Sequence, residues 1–576
     1  MPSSRFVRIS AAASAGIIGL ALATIGSIGS AHAATPRVLR VGTYKGIPGT
    51  YTSVQKAVSA SHANDWVLVG PGDYKENGYA GAPEPAGVLI TTTGLHLRGM
   101  DRNKVVIDGT KPGTPTCSNK KADQIFTKDG RDGVMALKVD GTYIENLTTC
   151  NYLTGNGGGE GNEIWWNGGD GSGKIGMGSF WGNYITGTST YSNGTADPRG
   201  EYGIFTSNTD GPGVIDQSYA SNMGDAAYYI GACPNCNQIL SHAHGEFSAL
   251  GYSGTNSGGN LTIENSEFDQ NKSGIVSNSQ NNDDQPSPQI GKCPGGGTGP
   301  LKLGICTIWK DNYVHDNNNP NVPGAGAGSL AGSGPTGAGF VLAGSQNIAI
   351  VHNRVVHNGS WGVLVTDLPD QENPPDGFPS CKGGTVKTPP IAGEDAVCYY
   401  QAFGNAVVDN TFTNNGFFGN PTNGDIGLLA LPHNPGNCAE GNTNTDGTVS
   451  TDPPTFNSNP LYACADPIGP NGGDVTLQTI EALCATALLF QCPQVEDPPV
   501  INYPQTTGVT LHMPPAQPTM PDPCAGVPAN PWCPAAATKP TVTHNLATTG
   551  LRTLLPLAAV VLLAVGSVTR RRLRTR

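Results

Sequence analysis

A short motif that returns at a near-constant interval restricts this chain more than any other feature. Gly203-Ile204-Phe205-Thr206 is followed by Ala227-Tyr228-Tyr229-Ile230, Ala249-Leu250-Gly251-Tyr252 and Gly274-Ile275-Val276-Ser277, in steps of 24, 22 and 25 residues. Gly339-Phe340-Val341-Leu342 and Gly362-Val363-Leu364-Val365 lie 23 apart, and Gly427-Leu428-Leu429-Ala430 closes the series. Second strands such as Leu261-Thr262-Ile263-Glu264 and Ile348-Ala349-Ile350-Val351 fall between them. Asparagine-rich corners follow at 265–271, 312–317, 353–358 and 410–415. A period of roughly 20–30 residues is a solenoid signature, whereas propeller blades repeat at about 40–50. Short apolar strands then form the sides of a coil, each rung hydrogen-bonded to the next. Asparagines stacked at a corner can satisfy one another and the turn backbone.

Composition agrees. Glycine at 80 and proline at 46, with only 13% charged residues, exclude a helical protein and point to tight turns between strands. All 14 cysteines lie between the two ends of the chain, as expected for disulfides formed in an oxidising compartment. The close pairs Cys233/Cys236, Cys484/Cys492 and Cys524/Cys533 read as local loops. Cys233-Pro-Asn-Cys236 lacks the context of a zinc or redox site and reads as a stapled turn.

Near the N-terminal end, Ser53-Val54-Gln55-Lys56-Ala57-Val58 has helical spacing and is followed by Asp65-Trp66-Val67-Leu68-Val69 and the turn Gly70-Pro71-Gly72. A helix there would cap the open end of the coil. Together with Val88-Leu89-Ile90, Leu95-His96-Leu97-Arg98-Gly99 and Val105-Val106-Ile107-Asp108-Gly109, this passage resembles the N-terminal cap and first rungs of the pectin-lyase-like superfamily. The resemblance runs over about 38–430. It implies an all-β, right-handed parallel β-helix, a scaffold that carries lyases, hydrolases, esterases, epimerases and non-catalytic adhesins. Beyond Leu431 the rungs fade. A short helix is expected at 476–490 within a cysteine-containing C-terminal cap, followed by twelve prolines in residues 496–545, which read as an extended stalk.

The two ends are addresses. Arg5 and Arg8, an apolar stretch at 9–28 and Ala31-His32-Ala33 form a secretory signal cleaved after Ala33. Leu546-Ala547-Thr548-Thr549-Gly550, an apolar run at 551–568 and five terminal arginines resemble a sortase-read cell-wall sorting signal. That resemblance implies cleavage between Thr549 and Gly550 and linkage to peptidoglycan, with the apolar run as a transmembrane segment beforehand. The boundaries expected are 1–33 signal, 37–434 β-helix, 435–495 cap, 496–545 stalk and 546–576 sorting signal. Removing both end segments deletes eight arginines and no acids, which leaves 24 basic against 44 acidic residues and a net charge of −20. Such a field repels nucleic acid and anionic lipid, so neither is expected as a partner. A polyanionic sugar would need calcium or local arginines.

Residues following each Gly-Ile-type strand share one corner of the coil: Asn208 and Asp210, Cys233, Asn256, Asn281 with Asp283 and Asp284, Asp367 and His433. Long insertions leave from the same corner, which makes a ligand groove there the functional expectation. Asp210, Asp283, Asp284 and Asp367 are its candidate catalytic groups, the last three also as possible Ca2+ ligands. Asn208, Asn256, Asn281, Trp165 and Trp166 are candidate substrate contacts. Asn208-Thr209-Asp210-Gly211 resembles the first part of a polygalacturonase motif whose later parts are out of register. Arg199 and Arg354 lie on different sides of their rungs. His242, His244 and Glu246 share a strand face without an evident third partner. Two functions follow. An enzyme requires carboxylates and a base converging in the groove; an adhesin or carbohydrate-binding display protein requires only aromatics and amides.

Overall fold

The computed structural model describes residues 35–280, 306–324, 331–370, 381, 384–387, 397–429, 436–467, 469, 481, 484 and 502–535. The signal segment, the sorting signal and most of the helix expected at 476–490 lie outside them. The chain divides into two units, Met1–Trp532 and Cys533–Arg576, and of the second only residues 533–535 are described.

Among the described residues, three parallel sheets of twelve, eleven and eleven strands run the length of the first unit. Each coil visits them in the same order: face 1 (such as Gly213–Asp216), face 2 (Tyr219–Ser221), then face 3 (Ala226–Gly231). Every strand pairs with its equivalents one coil before and after, as in Gly213 with Gln238 and Tyr219 with His244. The expected parallel β-helix is therefore present.

The repeat motif marks face 3, and the register explains its glycine. Ile204, Tyr228, Tyr252, Ile275, Phe340 and Val363 stack as one buried inward column. The residue before each turns the coil against its neighbour. A Cβ on Gly274 would lie 2.4 Å from the Gly339 carbonyl, so a larger residue cannot fit without moving backbone. The column runs through Gly251 rather than Ala249 and through Asp425 rather than Gly427, two residues from the sequence alignment in both cases. A two-residue slip preserves the in–out alternation, which is why the apolar pattern did not reveal it.

Asparagines form two ladders that bracket face 2. Asn312, Asn353, Asn410 and Asn442 bond in series at the corner before it, with side-chain contacts of 3.0, 3.0 and 2.9 Å. Asn271, Asn317, Asn358 and Asn415 do so at the corner after it, at 3.1, 3.2 and 3.2 Å. The asparagine-rich stretches 312–317, 353–358 and 410–415 thus start in one ladder and end in the other, while 265–271 joins only the second.

The N-terminal cap is a helix, α1 (Val54–Ser59), whose N-cap Ser53 accepts from the Lys56 amide. Buried Glu76 accepts from the Val54 amide at 2.5 Å and from the Ser53 hydroxyl at 3.0 Å, satisfying donors that the first turn would otherwise leave free. At the other end the coil continues past the expected limit of 434, through Cys438–Glu440, Thr443–Asn444 and Thr451–Asp452. Cys438 is bonded to Cys464 there, and Cys117–Cys150, Cys233–Cys236 and Cys381–Cys398 are further disulfides.

The proline-rich segment differs from the expected free stalk. Residues 502–532 run back along the coil from its C-terminal rungs to its N-terminal end. Thr507 donates to Asn321, His512 and Asn222 exchange bonds, Gln517 donates to Asn103, and Met520 donates to Asn146. Trp532 donates to the Ile47 carbonyl at 2.9 Å. Proline keeps the segment extended, as expected, but extended backbone also leaves its carbonyls free, and Arg98 and Arg102 donate to those of Ala525 and Pro518. No described helix is long and apolar enough to cross a membrane.

Candidate functional site

The outer surface of face 3 carries a row of rings. Trp165, Phe205 and Tyr229 are register partners on successive coils, each pointing away from the core. Trp165 and Phe205 stack with centroids 4.7 Å apart and planes 6° apart, and Phe205 meets Tyr229 edge-on at 4.7 Å. Tyr202 closes the group at 4.6 Å from Phe205 and 5.2 Å from Tyr229. The Trp165 indole donates to Ser207 at 3.0 Å, which fixes the ring's orientation. These rings, with Glu160, Asn162, Glu201, Ser207 and Asn208, line a cleft of about 250 Å³.

Carboxyl groups crowd one end of it. Burial pushes the Asp132 carboxyl well above its ordinary range and also raises Glu160. Asn162 is held between them, donating at 2.8 Å to Asp132 and 3.1 Å to Glu160. One rung on, buried Arg199 reaches Asp197 at 2.7 Å and Glu201 at 3.2 Å. Burial outweighs that arginine and pushes Glu201 up to about 7. Asp225, beside Glu201, is pushed up to about 8 by burial and then by Glu201. Deeper still, Glu163 sits fully buried in the column that holds Gly133 and Gly203, raised by burial while accepting from the Tyr152 amide at 3.1 Å. An aromatic wall can take the apolar face of a sugar ring, and carboxyls that change charge near neutrality can donate or accept a proton.

The structure sorts the candidates from sequence. Trp165 and Asn208 belong to the cleft; Asn208 sits with φ at 53° against Gly168 and Gly169, where a side chain would strike it. Trp166 does not: strand alternation turns it into the core, 5.2 Å from Phe180. Asn256 occupies the same corner but is fully buried, holding the Gln280 amide and carbonyl. Asp367 shares the corner too and is equally closed off. Its oxygens accept from the Tyr399 hydroxyl and from the Ala402 amide at 2.8 Å, beneath the antiparallel strands Leu368–Asp370 and Val397–Tyr400. Its carboxylate is a buried acceptor at this corner. Asp210 is exposed beside the corner and does not line the cleft. Asn281, Asp283, Asp284 and His433 lie outside the described residues.

Glu160, Glu201, Tyr202 and Phe205 are not among the residues the sequence suggests, whereas Tyr229 is suggested as a conceivable base. Phe205 and Tyr229 are the third residues of consecutive repeat units, a position that alternation sends outward, so the signal for them was available. On face 2, His242 pairs with Asp216 at the corner, while His244 and Glu246 face outward and meet a third partner, Asp269.

No family model matches this chain, and no curated protein does. Solved structures resemble it weakly. The A-module of Azotobacter vinelandii mannuronan C-5 epimerase AlgE4 shares 13% identity over 69% of this chain and 88% of its own, with a TM-score of 0.33. Pectate lyase Pel9A shares 12% over 74% and 81%, at 0.35. The Yersinia enterocolitica family 28 exopolygalacturonase shares 9% over 66% and 72%, at 0.34. Likeness at this level says nothing about activity, and the parallel coil rests on strand register itself.

Proposed function

We propose that this is an exported, cell-surface-anchored protein that engages a polysaccharide along the outer surface of face 3. The observation that carries the reading is the row Trp165–Phe205–Tyr229, three rings on three successive coils, opening into a polar cleft. Rungs of a β-sheet stand about 4.8 Å apart, so three ring-bearing rungs offer a continuous platform to an extended sugar chain. Surface attachment follows from Leu546-Ala547-Thr548-Thr549-Gly550 with its apolar run and basic tail. Cleavage of the bound chain is the second reading, favoured by Glu201 and Asp225, which can hold a transferable proton at neutral pH.

The mature chain, residues 34–549, is tested against a panel of immobilised plant, algal and bacterial glycans. Retention on one of them, lost in Trp165→Ala, is the expected result; no retention on any would end the reading. Product from the retained glycan, abolished in Glu201→Gln with binding intact, would add the enzyme. In the producing cell, Thr549→Ala should shift the protein from the wall fraction to the membrane.

A further inference from the structure

A second cluster lies on the outer surface of face 2, on a different side of the coil from the aromatic cleft. Three successive strands, His244–Glu246, Glu267–Asp269 and Tyr313–His315, carry it. Register sets His244 beside Glu267 and Tyr313, and Glu246 beside Asp269 and His315. Because side chains two apart on a strand share a face, all of these project together.

The ligand atoms converge closely. His244 Nε2 lies 2.7 Å from Asp269 and 3.8 Å from Glu246, and His315 Nε2 lies 3.0 Å from Glu267. His244, Glu246 and Asp269 form one group whose donor atoms all fall within 4.8 Å, and Glu267, Asp269 and His315 form another. Asp269 belongs to both. The side chains of Glu246 and Asp269 are only 10% and 13% exposed, and the Tyr219 hydroxyl donates to the far oxygen of Glu246 at 2.5 Å, which holds the other toward His244. Beside it, the Arg354 guanidinium lies over the Tyr313 ring at 4.2 Å, and His512 of the proline-rich segment stacks on Phe247 at 3.7 Å. Three carboxylates and two imidazoles are thus gathered on a rigid sheet.

We propose that this cluster binds a divalent first-row transition metal, zinc above all, with Asp269 as the shared ligand between His244–Glu246 and Glu267–His315. The donor set decides the class. Imidazole nitrogen with carboxylate oxygen suits zinc and its neighbours, whereas calcium takes an all-oxygen shell of six to eight ligands. A metal here ties three coils of face 2 together beside the segment that crosses it. The site is independent of the glycan reading, since it shares no residue with the cleft.

Mature protein stripped with chelator, reloaded with zinc and dialysed against metal-free buffer should retain stoichiometric zinc by elemental analysis, and cobalt should give visible ligand-field bands that zinc abolishes. Asp269→Asn and the double variant His244→Gln/His315→Gln should each weaken zinc binding at least tenfold, while His352→Gln, a surface imidazole elsewhere, should not. Far-ultraviolet circular dichroism in the absence of metal verifies that each variant is folded. Absence of zinc from the wild type, equal zinc in the folded variants, or displacement of zinc by an equivalent of calcium would each overturn the proposal.

Discussion

Asn353 holds Asn312 twice: its Oδ1 accepts from the Asn312 backbone nitrogen at 2.9 Å and from the Asn312 side chain at 3.0 Å. Its own amide nitrogen donates to the Trp309 carbonyl at 2.9 Å and to Asn410 at 3.0 Å. One side chain therefore serves the backbone and a side chain of one neighbouring coil and a side chain of the other. Asn353→Leu keeps the volume and removes every one of these bonds, leaving buried donors and acceptors unpaired. A loss of about 2–5 kcal/mol is expected, measured by urea unfolding against the wild type.

Trp165 and Trp166 are adjacent in sequence and opposite in fate. Trp166→Ala opens a cavity in the core and should cost about 3–5 kcal/mol of stability. Trp165→Ala removes a half-exposed ring and should leave stability within about 1 kcal/mol, yet weaken glycan retention about tenfold, equivalent to about 1.4 kcal/mol. Thermal denaturation and affinity electrophoresis of the two variants separate these effects.

Glu201 gives the molecule a pH dependence with a definite sign. Its folded pKa is raised from 4.5 to about 7 by burial, so between those values the folded state holds a proton that the unfolded state has released. Stability from this group is fully present below about pH 4.5 and is lost as pH rises through about 7. Asp225, raised to about 8, acts in the same direction over a wider window. Glu201→Gln should flatten the fall in melting temperature between pH 5 and 7.5, to be read from melting curves across that range. A slope unchanged in the variant would remove Glu201 as its source.

Trp532 anchors the far end of the returning segment through its bond to Ile47 and its ring against Tyr44, 5.7 Å away. Trp532→Ala should free residues 523–532 first, because their other contacts are mainly single carbonyls accepting from Arg98. Limited proteolysis should then cut near that end faster than in the wild type, while the coil remains resistant. Equal cutting rates would show that the segment is held elsewhere.

The coil was legible because its signal is periodic: each rung repeats an apolar strand and an asparagine corner, and many weak copies of one pattern reinforce one another. The corner that follows each face 3 strand was located correctly too, since Asn208, Asn256 and Asp367 do share it. Their accessibility was not legible. Asp367 is covered by strands from an insertion, and Asn256 by the next rung, so residues aligned in sequence differ entirely in exposure. The cleft instead uses Glu160 and Glu201, whose proximity depends on how two neighbouring rungs place their loops.

The proline-rich segment makes the same division plain. Its sequence determined an extended backbone, because proline restricts φ and withholds a donor. Whether that backbone stands away from the coil or lies on it depended on groups hundreds of residues distant, such as Asn103, Asn146 and Asn222. Local propensity and periodicity are written in neighbouring residues, and they determined the strands, the corners and the parallel coil. Burial, shared protons and the meeting of His244 with Asp269 arise between rungs, and only the stacked structure decided them.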